Sequence, residues 1–243
     1  MKEYSHTMAR CAHTAYLDGD EAKPIYAELG YPNHKFIDKD GAQVHIIWND
    51  ADVVLCFRGT EPSEFSDIKA DLNAIPDRAQ TQGFVHNGFQ TEVDKIWDDI
   101  KSHMKEENHY DKNIFVCGHS LGGAMSQIAS ARICQEADVR ALYTFGSPRV
   151  GTRKFIKTIK CNHYRYVNNN DIVPKVPFAI MGYKHHGELQ YINFYGNIRK
   201  MSWFQRFKDG WRGRFAAWKK KVPFDGAYDH GMDYYVQYTE KVK

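Results

Sequence analysis

The stretch NIFVCGHSLGGAMSQIASARICQEA, residues 113–137, joins a short apolar run to an alanine-rich segment through GHSLGG. The apolar run predicts a strand and the alanine-rich segment predicts a helix. Ser120 therefore lies at a turn from strand to helix, between Gly118 and Gly122. A serine at such a turn either caps the helix or stands clear of the sheet as a nucleophile.

Strands and helices go on alternating after this turn. VRALYTFGSP (139–148) and HYRYVN (163–168) predict strands, and TRKFIKTI (152–159) predicts a short helix between them. Because such alternation produces right-handed crossovers, the pattern predicts an α/β fold with a mostly parallel sheet flanked by helices. Ligands of these sheets bind at the carboxyl ends of the strands, where Ser120 lies. Before the turn, the sequence predicts a helix over 5–16, strands over 43–49 and 52–59, and a helix over 86–104.

The composition is that of a globular protein, with 42% hydrophobic and 26% charged residues. The 243 residues contain no internal repeat and no linker, so we expect one domain over residues 1–243. No apolar run is long enough to span a membrane, and the first residues lack the apolar centre of a secretory signal. Localisation thus stays open between the cytoplasm and secretion by another route. The five cysteines form no CxxC pair, which disfavours metal and redox motifs and favours free thiols.

A serine nucleophile needs a histidine base and an acid that orients it. In a fold of this kind the acid and then the histidine follow the serine along the chain. VNNNDIVPKVP (167–177) places Asp171 after a predicted strand, and AYDHGMDYY (227–235) places His230 before the last predicted helix. From the residues alone other candidates stay open, namely the acids Asp225 and Asp229 and the histidines His163, His185 and His186.

Acyl transfer also needs hydrogen-bond donors for the oxyanion that develops on the substrate. Leu121, the residue after the candidate nucleophile, would supply its backbone N–H. FRGTE (57–61) ends a predicted strand and offers Thr60, through its backbone N–H and its hydroxyl. An ordinary turn at the end of a strand remains the alternative interpretation of this segment.

The order of motifs in the chain resembles that of the class 3 lipases, which are α/β-hydrolases related to the secreted fungal triacylglycerol lipases. The resemblance rests on FRGTE, DIKADL, VHNGF, VCGHSLGGAMS, YTFGSPRVG, VNNNDIVPKVP and DHGMDYY, in that order over residues 40–240. It implies an α/β-hydrolase fold and a serine ester hydrolase, a lipase or carboxylesterase acting on acyl esters such as glycerides, with no metal or organic cofactor. The residues that it implies are Ser120 as nucleophile, Asp171 as orienting acid, His230 as general base, and Thr60 and Leu121 as the oxyanion hole.

The resemblance also implies roles for neighbouring residues. Asp71 would hold the Thr60 hydroxyl, and His119 and His86 would be structural. The family's lid corresponds to EPSEFSDIKADLNA (61–74), which is only weakly hydrophobic, so we do not expect strong activation by a lipid interface. A phospholipase or galactolipase is an alternative function, and so is a catalytically silent protein that binds lipids or protein partners.

A basic aromatic segment, residues 199–221, lies between Asp171 and His230 and holds nine Lys or Arg against one acid. Its aromatic residues recur at helical spacing and predict one face of a helix. Tryptophan combined with Lys and Arg is typical of helices that lie in a membrane interface. The segment is either a lid or membrane-contact element, or a helix whose aromatic face packs on the core. No nucleic-acid motif accompanies the charge, so we expect no nucleic-acid partner. The aromatic face consists of Trp203, Phe207, Trp211, Phe215 and Trp218.

Overall fold

A computed structural model describes residues 4–59, 75–219 and 225–242, without the side chains of 216–219, Asp225 and Ala227. Several predicted features lie outside the described residues: Thr60, Asp71, the segment that corresponds to the lid (61–74), and the side chain of Trp218. The described residues include Ser120, Asp171 and His230.

The strand that precedes Ser120 lies inside a sheet of eight strands. Two antiparallel pairings form one edge of this sheet, one forms the other edge, and all pairings between them are parallel. The predicted mostly parallel sheet is thus confirmed. In spatial order the strands are β1 (Asn33–Lys39), β2 (Ala42–Trp48), β3 (Asp52–Phe57), β6 (Asn113–His119), β7 (Val139–Phe145), β9 (Asn162–Asn168), β11 (Glu188–Ile192) and β12 (Ile198–Arg199).

A second, antiparallel sheet consists of very short strands. Strands of two or three residues leave no readable alternation in a sequence, which is why they were not predicted. In spatial order they are β10 (Tyr183–Lys184), β8 (Gly151–Thr152), β5 (Phe84–His86) and β4 (Pro76–Arg78).

Helices cover both faces of the large sheet. Successive side chains of a strand point to opposite faces, and β3 shows this directly. Val53 and Leu55 belong to one hydrophobic core, whereas Val54 and Cys56 belong to another on the opposite face. The first core is completed by the helices over Asn87–Glu106 and Leu121–Ile133, and the second by those over Ser5–Thr14, Gly19–Glu28 and Met232–Thr239. The helices are α1 (Ser5–Thr14), α2 (Gly19–Glu28), α3 (Asn87–Glu106), α4 (Leu121–Ile133), α5 (Arg153–Ile156), α6 (Trp203–Lys219), α7 (Asp225–Tyr228) and α8 (Met232–Thr239).

Several predicted elements extend beyond the ends of the observed ones. Helix α4 ends at Ile133 rather than at residue 137, because its last turn tightens as the N–H of Glu136 bonds to the carbonyl of Ile133 at 2.9 Å. Strand β7 ends before Gly146, whose φ of +57° turns the chain out of the sheet. Helix α5 covers only four of the eight residues predicted as helical. Neither α2 nor β1 was predicted from the sequence.

All five cysteines are free thiols, as expected, and Cys56 and Cys117 are fully buried. These two residues lie on β3 and β6, where they fill space in the second core. Among the described residues, no helix is both long and apolar enough to cross a bilayer.

Candidate active site

Ser120 is the one residue between β6 and α4, at the carboxyl end of its strand. Its φ of +55° and ψ of −124° form a conformation that a non-glycine residue rarely adopts, at a cost of about 1–3 kcal/mol. The Ser120 N–H donates to the carbonyl of Phe145 at 3.0 Å. Within the part of the chain that the structure describes, its hydroxyl makes no cap hydrogen bond to α4. The helix-cap interpretation is therefore wrong, and the turn has the geometry of a nucleophile elbow.

Gly122 allows this turn to be tight. A Cβ at this position would lie 2.2 Å from the carbonyl oxygen of Phe57, so no larger residue fits between α4 and β3. Leu121 is the first residue of α4. N–H groups in the first turn of a helix have no acceptor inside the helix, and they carry the positive end of its dipole. The Leu121 N–H is consequently suited to bind a negative oxygen beside Ser120.

Asp171 and His230 form a buried pair, with 0% and 4% of their surfaces exposed. The Nδ1 atom of His230 lies 3.0 Å from Oδ1 and 2.9 Å from Oδ2 of Asp171. The N–H of Val173 also donates to Oδ1, at 2.9 Å. Because the carboxylate accepts a hydrogen from Nδ1, the lone pair of the neutral ring is on Nε2. This is the tautomer that a general base requires.

Tyr235 completes the surroundings of Asp171 and was not singled out from the sequence. Its hydroxyl donates to Oδ2 of Asp171 at 2.5 Å and accepts the N–H of Asn168 at 3.0 Å. Burial, followed by the charge of Asp171, raises the pKa of Tyr235 well above its ordinary value, so the hydroxyl remains a donor. The residue belongs to the motif DHGMDYY, but its sequence context does not distinguish it from a tyrosine of the core.

His119, the residue before Ser120, connects the elbow to His230. Its ring stacks on the His230 ring with the centroids 4.4 Å apart. Its Nε2 donates to the His230 carbonyl at 2.8 Å, and its Nδ1 lies 2.7 Å from the hydroxyl of Tyr16. Burial and the neighbouring His230 lower the pKa of His119 well below the ordinary value, so the ring is neutral and accepts the Tyr16 hydrogen at Nδ1. These contacts support the structural role expected for His119.

Gly146 lies directly against the buried pair. A Cβ here would lie 2.7 Å from Oδ2 of Asp171 and 2.9 Å from Nδ1 of His230. Its φ of +57° is also one that side chains rarely allow. The motif FGSP therefore contributes space rather than a functional group. His86, the other histidine expected to be structural, is buried and stacks on Phe89 with the ring centroids 4.1 Å apart.

The competing histidines and acids have other contacts. His163 and His186 face each other with their Nδ1 atoms 3.1 Å apart, and His185 donates from Nε2 to a backbone carbonyl at 2.8 Å. Asp229 accepts a backbone N–H at 3.0 Å, and the side chain of Asp225 lies outside the described residues. Of the described candidates, the structure brings together the pair that the motif order implied.

Helix α6 turns its aromatic residues towards solvent. The exposed fractions are 71% for Trp203, 50% for Phe207, 55% for Trp211 and 56% for Phe215. The residue that packs inwards is the segment's single acid, Asp209, which is 1% exposed. Its carboxylate accepts the N–H of Phe194 at 2.9 Å and the hydroxyl of Tyr191 at 3.2 Å. For the described side chains, the alternative in which the aromatic face packs on the core is therefore wrong.

The chain is similar in sequence to several known proteins. The sequence profile of the lipases of class 3 matches residues 54–181. The chain is similar to the toxin TseL of Vibrio cholerae, with 32% identity over 187 residues that cover 59% of this chain and 29% of the toxin. It is also similar to the secreted mono- and diacylglycerol lipase 1 of Fusarium solani, with 36% identity over 107 residues that cover 42% of this chain and 32% of that protein.

A similar fold occurs in the crystal structure of the lipase from Rhizopus microsporus var. chinensis. The two structures superpose with a TM-score of 0.65 and 27% identity, over 79% of this chain and 74% of the lipase. The matched regions of the two curated relatives are 29% and 32% of their lengths, so most of either protein has no counterpart in the comparison.

Proposed function

The chain belongs to the class 3 lipase family, and on that premise we propose that it is a serine ester hydrolase that cleaves acyl esters through an acyl-enzyme intermediate. Ser120 is the nucleophile, His230 the general base and Asp171 the acid that orients the imidazole. The observation that carries the proposal is the buried Asp171–His230 pair, joined through His119 to a serine held at φ +55°.

The proposed reaction begins when Nε2 of His230 takes the proton from the Ser120 hydroxyl. The Ser120 Oγ then forms a bond to the ester carbonyl carbon, and the carbonyl electrons move to the oxygen. His230 passes its proton to the leaving alcohol as the ester C–O bond breaks. Water attacks the acyl-enzyme with His230 again as base, and the acid is released. Asp171 stabilises the imidazolium that forms in both halves without taking its proton.

Leu121 and Thr60 form the proposed oxyanion hole. Support for Leu121 comes from its position as the first residue of α4, at the positive end of the helix. Thr60 follows Gly59 beyond the end of β3 and lies outside the described residues, so its role rests on the family pattern. Gly59, the last described residue before it, packs closely against Tyr16, since a Cβ on Gly59 would lie 2.4 Å from the Tyr16 hydroxyl.

Acylglycerols are the substrate class that we propose. The Fusarium solani relative is named as a mono- and diacylglycerol lipase, and the exposed aromatic residues of α6 suit contact with a water–lipid interface. The positive charge of the same segment favours a second candidate function, a phospholipase or galactolipase at a membrane. We also propose that residues 1–243 form one domain in which 199–221 is the lipid-contacting element.

The test is hydrolysis of p-nitrophenyl esters from acetate to palmitate, with and without dispersed lipid. Ser120→Ala should lower the rate by more than about 10⁴-fold while the thermal unfolding transition stays cooperative. Ser130→Ala is the matched control, because Ser130 is a buried serine on α4, the helix that follows Ser120, and its hydroxyl has no partner among the described residues.

Each outcome separates the candidate functions. Activity in a well-folded Ser120→Ala protein would refute the assignment of the nucleophile. Long-chain esters that gain from added lipid would favour a lipase, whereas short soluble esters with no such gain would favour a carboxylesterase. An inactive wild type, folded as judged by its unfolding transition, would favour the alternative of a silent lipid-binding or protein-binding member.

A further inference from the structure

An open cavity of about 390 Å³ lies between helix α6 and the strands beneath it. Its floor includes Arg165 and Val167 of β9 and Tyr191 of β11. Arg206 lines it from the side of α6. The catalytic chemistry proposed above uses none of these residues.

The cavity is strongly cationic. Five of its lining residues are Arg or Lys, and the described lining contains neither Asp nor Glu. Asp209, the single acid of α6, does not itself line the cavity; its carboxylate lies beneath α6, where it accepts hydrogen bonds from Tyr191 of the floor and from the N–H of Phe194. The cations that line the cavity are Arg149, Arg165, Lys175, Arg206 and Arg214.

Two of the guanidinium groups have unused donors inside the protein. Arg165 is only 8% exposed, and its Nε is buried with no hydrogen-bond partner among the described residues. The Nε of Arg206 is also buried and has no hydrogen-bond partner among the described residues. Leaving buried donors of charged groups unsatisfied is costly, so the arrangement favours an anion with several acceptor oxygens.

The pKa of Arg165 also favours an anion in the cavity. Burial and the neighbouring Arg149 and Arg206 lower the pKa of Arg165 to about 10. The ordinary pKa of an arginine is well above that, so burial and the neighbouring cations destabilise the positive form of Arg165. An anion placed among these side chains would relieve the repulsion between them.

The rim of the cavity is aromatic. Trp203, Phe207 and Trp211 line it, and each of these side chains is at least half exposed on α6. Tryptophan is enriched at the level of lipid headgroups, where its ring has one apolar and one wet side. Planar guanidinium groups match phosphate oxygens in pairs of parallel hydrogen bonds. The cavity therefore combines donors for a phosphate with a rim suited to the interface of a bilayer.

We propose that this cavity binds the phosphate group of an anionic phospholipid at a membrane surface, with Arg165 and Arg206 as donors and the α6 aromatics in the interface. The proposal rests on the proposed lipid contact of α6 and adds a specific headgroup site to it. Positive charge alone would attract any anionic surface. A site with donors arranged for phosphate would instead prefer an anionic lipid that carries phosphate over one of equal charge that does not.

The experiment measures that preference. All binding is measured in the Ser120→Ala background, so that lipid is not consumed and a failure of catalysis does not affect the result. Vesicles of digalactosyldiacylglycerol, a neutral lipid without phosphate, carry either phosphatidylglycerol or oleate, adjusted to the same zeta potential. We expect tighter binding to the phosphatidylglycerol vesicles by about tenfold, the value of one charge-assisted hydrogen bond.

The variants locate the preference. Arg206→Gln should abolish it, whereas Arg212→Gln should keep it, because Arg212 lies on the same helix but does not line the cavity. Both variants lose one positive charge, so both should bind all anionic vesicles more weakly. Arg165→Gln should also abolish the preference, and Arg206→Gln keeps the test decisive if that buried substitution prevents folding.

Three results would overturn the proposal. The first is equal binding of the starting protein to both kinds of anionic vesicle. The second is a preference that survives in Arg206→Gln. The third is that inorganic phosphate binds the protein more tightly than phosphatidylglycerol vesicles do and displaces the protein from them. That result would assign the cavity to a soluble anion. Ester hydrolysis by the wild type is scored separately, so the proposed function and the headgroup site can fail independently.

Discussion

Tyr235→Phe removes one buried hydroxyl and leaves the ring in place. That hydroxyl donates to Asp171 at 2.5 Å and accepts the N–H of Asn168 at 3.0 Å. Losing a hydrogen bond to a charged acceptor costs about 1.5–3 kcal/mol, and leaving a buried N–H unsatisfied costs about 1–3 kcal/mol. We therefore expect the free energy of unfolding to fall by at least about 2.5 kcal/mol, the sum of the two lower limits.

The effect on catalysis should be smaller than the contact suggests. After the substitution, Asp171 still accepts the N–H of Val173 at 2.9 Å and Nδ1 of His230 at 2.9 Å. The tautomer of His230 is then preserved, so kcat/KM should fall by no more than about tenfold, one hydrogen bond's worth of transition-state stabilisation. Asp171→Asn changes that tautomer and should cost about 10⁴-fold.

The assay combines urea unfolding with hydrolysis of p-nitrophenyl butyrate, and Tyr238→Phe, half-buried on the same helix, is the control. An unfolding free energy of Tyr235→Phe within about 0.5 kcal/mol of the wild type would refute the energetic reasoning. A loss of kcat/KM as large as that of Asp171→Asn would refute the view that Val173 and His230 hold the carboxylate without Tyr235.

Two further predictions concern buried groups. Burial lowers the pKa of His45 to about 3 and that of His109 to about 4. In the unfolded chain both histidines have the ordinary pKa of about 6.5. Below that pH the unfolded chain therefore binds protons that the folded chain does not. The free energy of unfolding should thus fall as the pH drops from about 6.5 towards about 4, by up to about 1.4 kcal/mol per pH unit for each histidine; a urea midpoint that is equal at about pH 7 and about pH 5 would contradict this. Gly146→Ala should separate Asp171 from His230, because its Cβ would lie 2.7 Å from Oδ2 and 2.9 Å from Nδ1; it should lower kcat by more than about 10²-fold, and an alanine variant with wild-type kcat would show that the pair tolerates displacement.

The elements that could be predicted from the sequence are those whose buried apolar residues recur at a regular spacing. Helix α3 has apolar residues at helical spacing, and α4 follows an apolar strand, so both were found. Strand β1 was missed because it lies at the sheet edge and buries only Ile37. Helix α2 was missed because it buries only Ala22 and Tyr26 and contains Pro24. An element that buries only one or two side chains has no regular pattern of apolar residues from which it could be predicted.

Within the candidate site, Ser120, Asp171 and His230 could be proposed because their motifs are local and ordered. The supporting residues could not, since their contacts span the chain: Tyr16 and His119 are 103 residues apart, and Tyr235 and Asp171 are 64 apart. Gly146 acts only through the space it leaves. Nothing in the neighbouring sequence of these residues specifies such long-range contacts.

The basic aromatic segment shows a different limit. Its spacing predicted a helix, and α6 is one, but spacing alone did not decide which face packs inwards. The buried position of Asp209 settled that, because a carboxylate that accepts both the Phe194 N–H and the Tyr191 hydroxyl fixes the rotation of the helix. A lone acid among many cations was the signal in the sequence, visible only once its partners were known.

The backbone at Ser120 places stability and the proposed activity in opposition. Glycine adopts a positive φ about as readily as a negative one, whereas a serine held at φ +55° retains a conformational cost of about 1–3 kcal/mol. A sequence selected for stability alone would therefore place glycine at position 120. Keeping serine at this position lowers stability at the residue whose hydroxyl is the nucleophile of the proposed mechanism, and the shape of the turn fixes that trade-off.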